Sequence, residues 1–223
     1  MARTKLIDRI LPDYTGGEEV FNMVTHIVGG GFGIIYCVLC VVFSAIYSNA
    51  WAVVSSAIYG GSVTALFTMS SVYHGVKHKT GKKVLQIIDH CTIYFMIAGT
   101  YTPLMLCSLR PINPIAAWIT FGFVWAISAL AITLNAIDLK SYKVFSMICY
   151  IGLGWCVIFT IKPVYIALTP MGFFGLLLGG ILYTIGDILF GIGSKIRYFH
   201  SIFHIFVVLA SVAHFNCIFF FVI

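Results

Sequence analysis

The sequence predicts an all-α integral membrane protein, a single domain of seven transmembrane helices with its N-terminus cytoplasmic and its C-terminus outside. Three observations predict it. Of the 223 residues, 61% are hydrophobic and 9% charged, and the mean hydropathy is +1.03, far from the composition of soluble domains. The apolar residues form continuous runs long enough for the about 20 residues that cross a bilayer as a helix. The basic residues collect in alternate loops. Seven spans of about 22 residues would take up roughly 154 positions and leave only short loops. The composition therefore excludes a separate soluble domain, a secreted disulfide scaffold, a coiled coil and a nucleic-acid-binding protein.

In chain order the spans are expected at about 20–47, 52–75, 84–108, 113–135, 143–162, 166–190 and 199–221. The first follows a mixed-charge segment that lacks the apolar core and small-residue cleavage site of a signal peptide. Turn chemistry separates the others at Ser48-Asn49, at Arg110-Pro111-Ile112-Asn113-Pro114, from Asn135 to Asp138, and at Lys162-Pro163. The runs are continuous rather than alternating and about twice the length of a barrel strand, which argues against a β-barrel. Glycines at Gly29, Gly30, Gly31 and Gly33, and at Gly175, Gly179 and Gly180, have the spacing of close helix packing. All seven cysteines sit inside apolar runs, so no disulfide framework is implied, and Cys37 and Cys40 read as small packing residues.

Orientation follows from charge. Arg3, Lys5 and Arg9 precede the first span; Lys77, Lys79, Lys82 and Lys83 lie between the second and third; Lys140 and Lys143 between the fourth and fifth; Lys195 and Arg197 between the sixth and seventh. The other side receives only Arg110 and Lys162 of the 13 basic residues. This asymmetry puts the N-terminus in the cytoplasm, and the expected location is the plasma (cell) membrane, crossed several times.

Ionisable groups inside spans are energetically costly, so their positions carry information about function. His74 ends the second span, Asp89 and His90 open the third, and His200 and His204 open the seventh. All five are expected near the cytoplasmic face at one depth. His200 and His204 stand at i and i+4 on one helix face, a spacing that suits two ligands of one metal ion. Ser70 and His74 repeat that spacing, with the hydroxyl one turn deeper. Three imidazoles form the protein ligand set of catalytic zinc sites, and Asp89 is the natural group to hold the zinc's water or take its proton. The bland alternative is a set of interfacial histidines bonded to backbone or solvent. That alternative is favoured for His78, in the basic loop. His90 faces roughly 100° away from Asp89 and is not expected to join the site. His26, one turn from Asn22, supports the site or packs, and His214 is expected to bond to another helix. Asp187 either orients an imidazole or, the favoured reading, pairs with Lys195 or Arg197.

Taken together, Glu18-Glu19-Val20-Phe21-Asn22-Met23-Val24-Thr25-His26, Ser70-Ser71-Val72-Tyr73-His74, Asp89-His90-Cys91-Thr92-Ile93-Tyr94, Ala98-Gly99-Thr100-Tyr101-Thr102-Pro103, Gly179-Gly180-Ile181-Leu182-Tyr183 and His200-Ser201-Ile202-Phe203-His204, with the later His214, resemble the hemolysin III family. That family is related to the progestin and adipoQ receptors and, more widely, to alkaline ceramidases. The resemblance implies seven helices with a cytoplasmic N-terminus and a zinc ion held by His74, His200 and His204. It also implies that Asp89 contacts the zinc's water, with Ser70 beside it. Asp187 departs from the family pattern, where a small or apolar residue is expected.

Three functions compete. The first is a zinc-dependent intramembrane hydrolase of a lipid amide or ester, ceramidase-like or phospholipase-like, with Asp89 as general base and Ser70 as donor to the developing oxyanion. Its partners would be membrane lipids and an acyl-lipid or ceramide-like substrate, with no nucleic acid. The second is a receptor-like or regulatory protein in which zinc is structural, tying the second and seventh helices together. The third is cytolytic (hemolysin) activity, for which the sequence offers no amphipathic, water-soluble precursor.

Overall fold

A computed structural model describes residues 3–193 and 196–223. Among them it is all helical, with no strand: a short turn at Leu6–Asp8, then α1 (Gly16–Tyr47), α2 (Ala50–Gly75), α3 (Lys79–Pro103), α4 (Pro114–Asp138), α5 (Lys143–Gly154), α6 (Ile161–Gly193) and α7 (Phe199–Phe221). Six stretches are long and apolar enough to cross a membrane, α5 and α6 counting together as one of 51 residues.

Local chemistry sets the helix ends. Thr15 and Glu18 form a reciprocal capping box at α1: Glu18 N–H donates to Thr15 Oγ1 at 3.2 Å and Thr15 N–H donates to Glu18 Oε2 at 2.8 Å. Asn49 caps α2, His78 caps α3, and Asn113 caps α4 ahead of Pro114 in the first turn, where a missing N–H leaves no bond unmade. After Pro103 the third helix widens into a π-helical turn over Leu104–Leu109, as a proline that removes a backbone donor favours.

The bundle is apolar outside and buries many of its polar side chains beside its apolar cores. Val20, Val24, Ile27, Ile34 and Val38 of α1 and Ile115, Ile119 and Phe123 of α4 are exposed, whereas Asn22, Ser55, Ser62, Thr102, Ser128 and Asn135 are buried. This inversion of the soluble pattern suits a lipid surround, in which polar groups must find partners inside the protein. One apolar core joins α1, α2, α3 and α7 around Tyr59, Phe67, Met96 and Val207, and a second joins α3 to α6 around Tyr94, Met105, Tyr150 and Leu168.

Two expected turns lie elsewhere. Asn135 to Asp138 is helical, because both polar side chains are buried and bonded: Ser146 Oγ donates to Asn135 Oδ1 at 2.7 Å, and Thr4 N–H donates to Asp138 Oδ2 at 2.8 Å. Lys162 and Pro163 belong to the first turn of α6, where proline sacrifices no intrahelical bond. The chain breaks instead at Thr169, with φ 62 and ψ 164, just before Pro170, which disfavours a helical conformation at the residue preceding it. The fifth expected span is also interrupted, by a 3-10 stretch at Cys156–Thr160. Tyr101 repairs that interruption, its hydroxyl donating to the Gly154 carbonyl at 3.1 Å and accepting from Val157 N–H at 2.8 Å.

Small residues bring helices together as expected. A Cβ on Gly60 would collide with Cys37 and one on Gly179 with His214, whereas Gly61 faces open space. All seven cysteines are free, and Cys37 meets Gly60 as a packing residue. Gly60→Val is expected to destabilise the protein by about 1–3 kcal/mol, read as a lower unfolding midpoint in detergent, while Gly61→Val leaves the midpoint near the parent's. Equal effects at the two sites would contradict this packing.

Candidate metal centre

Three helices build the centre at the end of the bundle that carries the N-terminus. The last turn of α2 brings His74 and, one turn deeper, Ser70; the first turns of α7 bring His200 and His204; the first turn of α1 brings Glu19. α7 starts where it does because Tyr198, at φ 64, donates its N–H to Glu18 Oε1 at 2.7 Å. That bond holds the segment before α7 to the start of α1.

His74, His200 and His204 are all buried, and each offers a ring nitrogen within 4.8 Å of the others'. His200 Nε2 and His204 Nε2 lie 3.1 Å apart. Nitrogens sharing one tetrahedral zinc stand about 3.3 Å from each other, given bonds of about 2.0–2.1 Å, so the spacing is of the right size. His74 supplies the decisive detail. Its Nδ1 lies 2.7 Å from Glu19 Oε2, and because a carboxylate can only accept, Nδ1 carries the proton. The Nε2 lone pair is then free, and this atom is buried with no hydrogen-bond partner. A carboxylate behind an imidazole that presents its other nitrogen to a shared point is the usual support of a metal-ligating histidine. The cluster could hold a metal ion.

Glu19 is itself fixed by Lys82, whose Nζ lies 2.7 Å from Oε1. This pair does not stand out in the sequence. Its signal was the stripe Glu19, Asn22 and His26 at i, i+3 and i+7, one face of α1; Lys82 was read only as a loop charge. Glu19→Gln is expected to weaken metal binding by about 10- to 100-fold, measured by chelator competition; an unchanged affinity would show that Glu19 does not orient His74.

Tyr14 also escaped the sequence reading. Its ring stacks on His200 at 4.8 Å between centroids and lies 5.7 Å from His74, covering the cluster from the N-terminal side. Burial, with Asp89, Glu19 and Glu18 nearby, pushes the phenol up from its ordinary range, so Tyr14 covers the imidazoles as a neutral ring. The segment leading to it is held down by Thr4 on Asp138 and by Lys83 Nζ, which donates to the Ile7 carbonyl at 2.6 Å.

Ser70 and Asp89 line a small cavity together with His200 and His204. His90 also lines it, but its Nδ1 donates to the Gln86 carbonyl at 2.9 Å, and it stays outside the cluster. His26 stacks on His204 at 3.8 Å between centroids and meets Phe67 edge-on. His214 donates to the Leu176 carbonyl of α6 at 3.2 Å, the interhelical bond expected of it. His78 accepts from Gly81 N–H as a helix cap. Asp187 lines the same cavity as the cluster. Arg197, one of its two expected partners, forms no ion pair with it among the described residues; the other, Lys195, lies outside them.

Fold and site together define a multi-pass helical membrane protein with a buried three-histidine cluster beside a carboxylate and a hydroxyl. The family model described as Haemolysin-III related matches residues 14–215, and the chain belongs to that family. It is 38% identical over 208 residues to the hemolysin-3 homolog of Bacillus subtilis (strain 168), covering 93% of this chain and 96% of that one. Hemolysin-3 of Bacillus cereus is 36% identical over 206 residues, 92% of each chain. The monocyte to macrophage differentiation factor of Homo sapiens is 29% identical over 177 residues, 76% of this chain and 71% of that one.

Proposed function

We propose that the protein is a zinc-dependent intramembrane hydrolase of a lipid amide or ester, with seven membrane crossings and a cytoplasmic N-terminus in the cell membrane. The observation that carries the activity is the buried cluster of three imidazoles, two of which, His200 and His204, line one small cavity together with Asp89 and Ser70. What supports seven crossings is the length of the 51-residue stretch Lys143–Gly193. As one straight helix it would measure about 76 Å, against about 30 Å of hydrocarbon. The break at Thr169 divides it near its middle. Trp155 of the first half donates to Thr184 of the second at 2.9 Å, and Met147 lies beside Gly191, so the halves run antiparallel.

His74, His200 and His204 would hold the zinc, which when bound supplies Lewis acidity toward a carbonyl oxygen. Asp89 takes a proton from the attacking water, whose oxygen adds to the acyl carbon. The Ser70 hydroxyl donates to the oxygen on which negative charge develops. The acyl–nitrogen or acyl–oxygen bond then breaks, and the leaving amine or alcohol receives the proton from Asp89. The products are a fatty acid and an amine or alcohol.

The test is fatty-acid release from ceramides, phospholipids and lysophospholipids by the purified protein in detergent. Release that stops after chelation and returns with zinc supports the reading. No release from any acyl lipid by metal-loaded protein would contradict it.

A further inference from the structure

A cavity of about 370 Å³ lies at the same end of the bundle as the histidine cluster, within the range of about 300–1,000 Å³ typical of small-molecule sites. It adjoins the cluster, since Asp89 and His200 line both this cavity and the small one around the histidines. Beyond the cluster a further cavity, lined by Ile93, Ile97, Ile151 and Trp155, continues between α3, α5 and α6.

The charges around the large cavity are unequal: Arg9, Lys140 and Lys143 face it against the single carboxylate of Asp89. Lys140 and Lys143 are exposed at its rim. Arg9 is only 8% accessible, and its Nε and Nη1 are buried with no hydrogen-bond partner. No ion pair to Arg9 forms among the described residues. Burying a guanidinium uncompensated is strongly unfavourable. Arg9 is one of the residues that line this cavity, which has space for an anion. Several directed donors backed by two ammonium groups suit the multiple oxygens of a phosphate better than a neutral headgroup.

We infer that this cavity binds the phosphate of an amphiphile, with Arg9 gripping its oxygens, Lys140 and Lys143 adding charge at the rim, and the acyl portion directed past Asp89 and His200 toward the histidine cluster. The substrate class is then a phospholipid or lysophospholipid rather than a ceramide. This deepens the hydrolase reading and rests on it for turnover, but not for binding.

The test is calorimetric titration of the full chain in neutral detergent with short-chain phosphatidic acid, the diacylglycerol of the same chains, and inorganic phosphate. Parent, Arg9→Gln and the pair Lys140→Gln with Lys143→Gln are compared, and unchanged zinc content in each variant reports an intact fold. The expected result is saturable binding of phosphatidic acid, weakened at least about tenfold by Arg9→Gln and about threefold by the surface pair. Inorganic phosphate bound with the same dependence on Arg9 would support the site and assign a free anion as its ligand. Affinities unchanged in both variants, or diacylglycerol bound as tightly as phosphatidic acid, would overturn it. Binding without turnover would sink the hydrolase reading and leave this site standing. Turnover of a ceramide without binding of phosphatidic acid would do the reverse.

Discussion

His204→Ala is expected to purify with less than about a tenth of the metal found in the parent, which should carry about one ion per chain. His204 stands within 3.1 Å of His200 through their Nε2 atoms and is buried between His26 and His74. Removing its ring leaves two imidazoles, His74 on α2 and His200 on α7, and the i, i+4 chelating pair on α7 is lost. The same substitution opens a cavity, so a variant outside the cluster must control for general destabilisation. His214→Ala serves, because His214 is also on α7, bonds only the Leu176 carbonyl among the described residues, and takes no part in the cluster. It is expected to retain metal at the parent level. Equal loss in both variants would mean that the effect comes from unfolding and not from the ligand set.

Asp89→Asn is expected to lower lipid hydrolysis by about 10²- to 10⁴-fold while leaving metal content near the parent's. The two readouts separate because Asp89 lines the cavity beside His200 and His204 but is not one of the three clustered ligands. An amide of the same shape cannot take the proton from water. Undiminished hydrolysis in this variant would remove Asp89 from the mechanism. Metal retained with no hydrolysis even in the parent would favour a structural ion clamping α2 to α7, the regulatory alternative.

The histidine triad was legible in the sequence because helical spacing and depth are both one-dimensional quantities. His200 and His204 share a face by their separation of four, and His74 reaches the same level because α2 ends where α7 begins. Asp89 and Ser70 could be placed on the same grounds. Glu19 was not singled out, since acids are common in the first turn of a helix for reasons of dipole and capping, and its bond to His74 depends on how α1 packs on α2. Arg9 entered only as one basic charge among several. Its burial follows from the N-terminal segment folding back over the bundle, held by Thr4 and Lys83, which no local pattern encodes. The turn at Thr169 was hidden for a different reason. Lys162-Pro163 looks like a breaker, but proline is harmless in a first turn, and a threonine in the left-handed region carries no compositional mark.

The most direct test of the metal centre is X-ray absorption at the zinc edge of protein purified without chelator. About three imidazole nitrogens at about 2.0–2.1 Å with no sulfur neighbour are the expected result. Sulfur at about 2.3 Å, which would bring in the free cysteines, or no bound metal at all, would contradict the assignment of His74, His200 and His204.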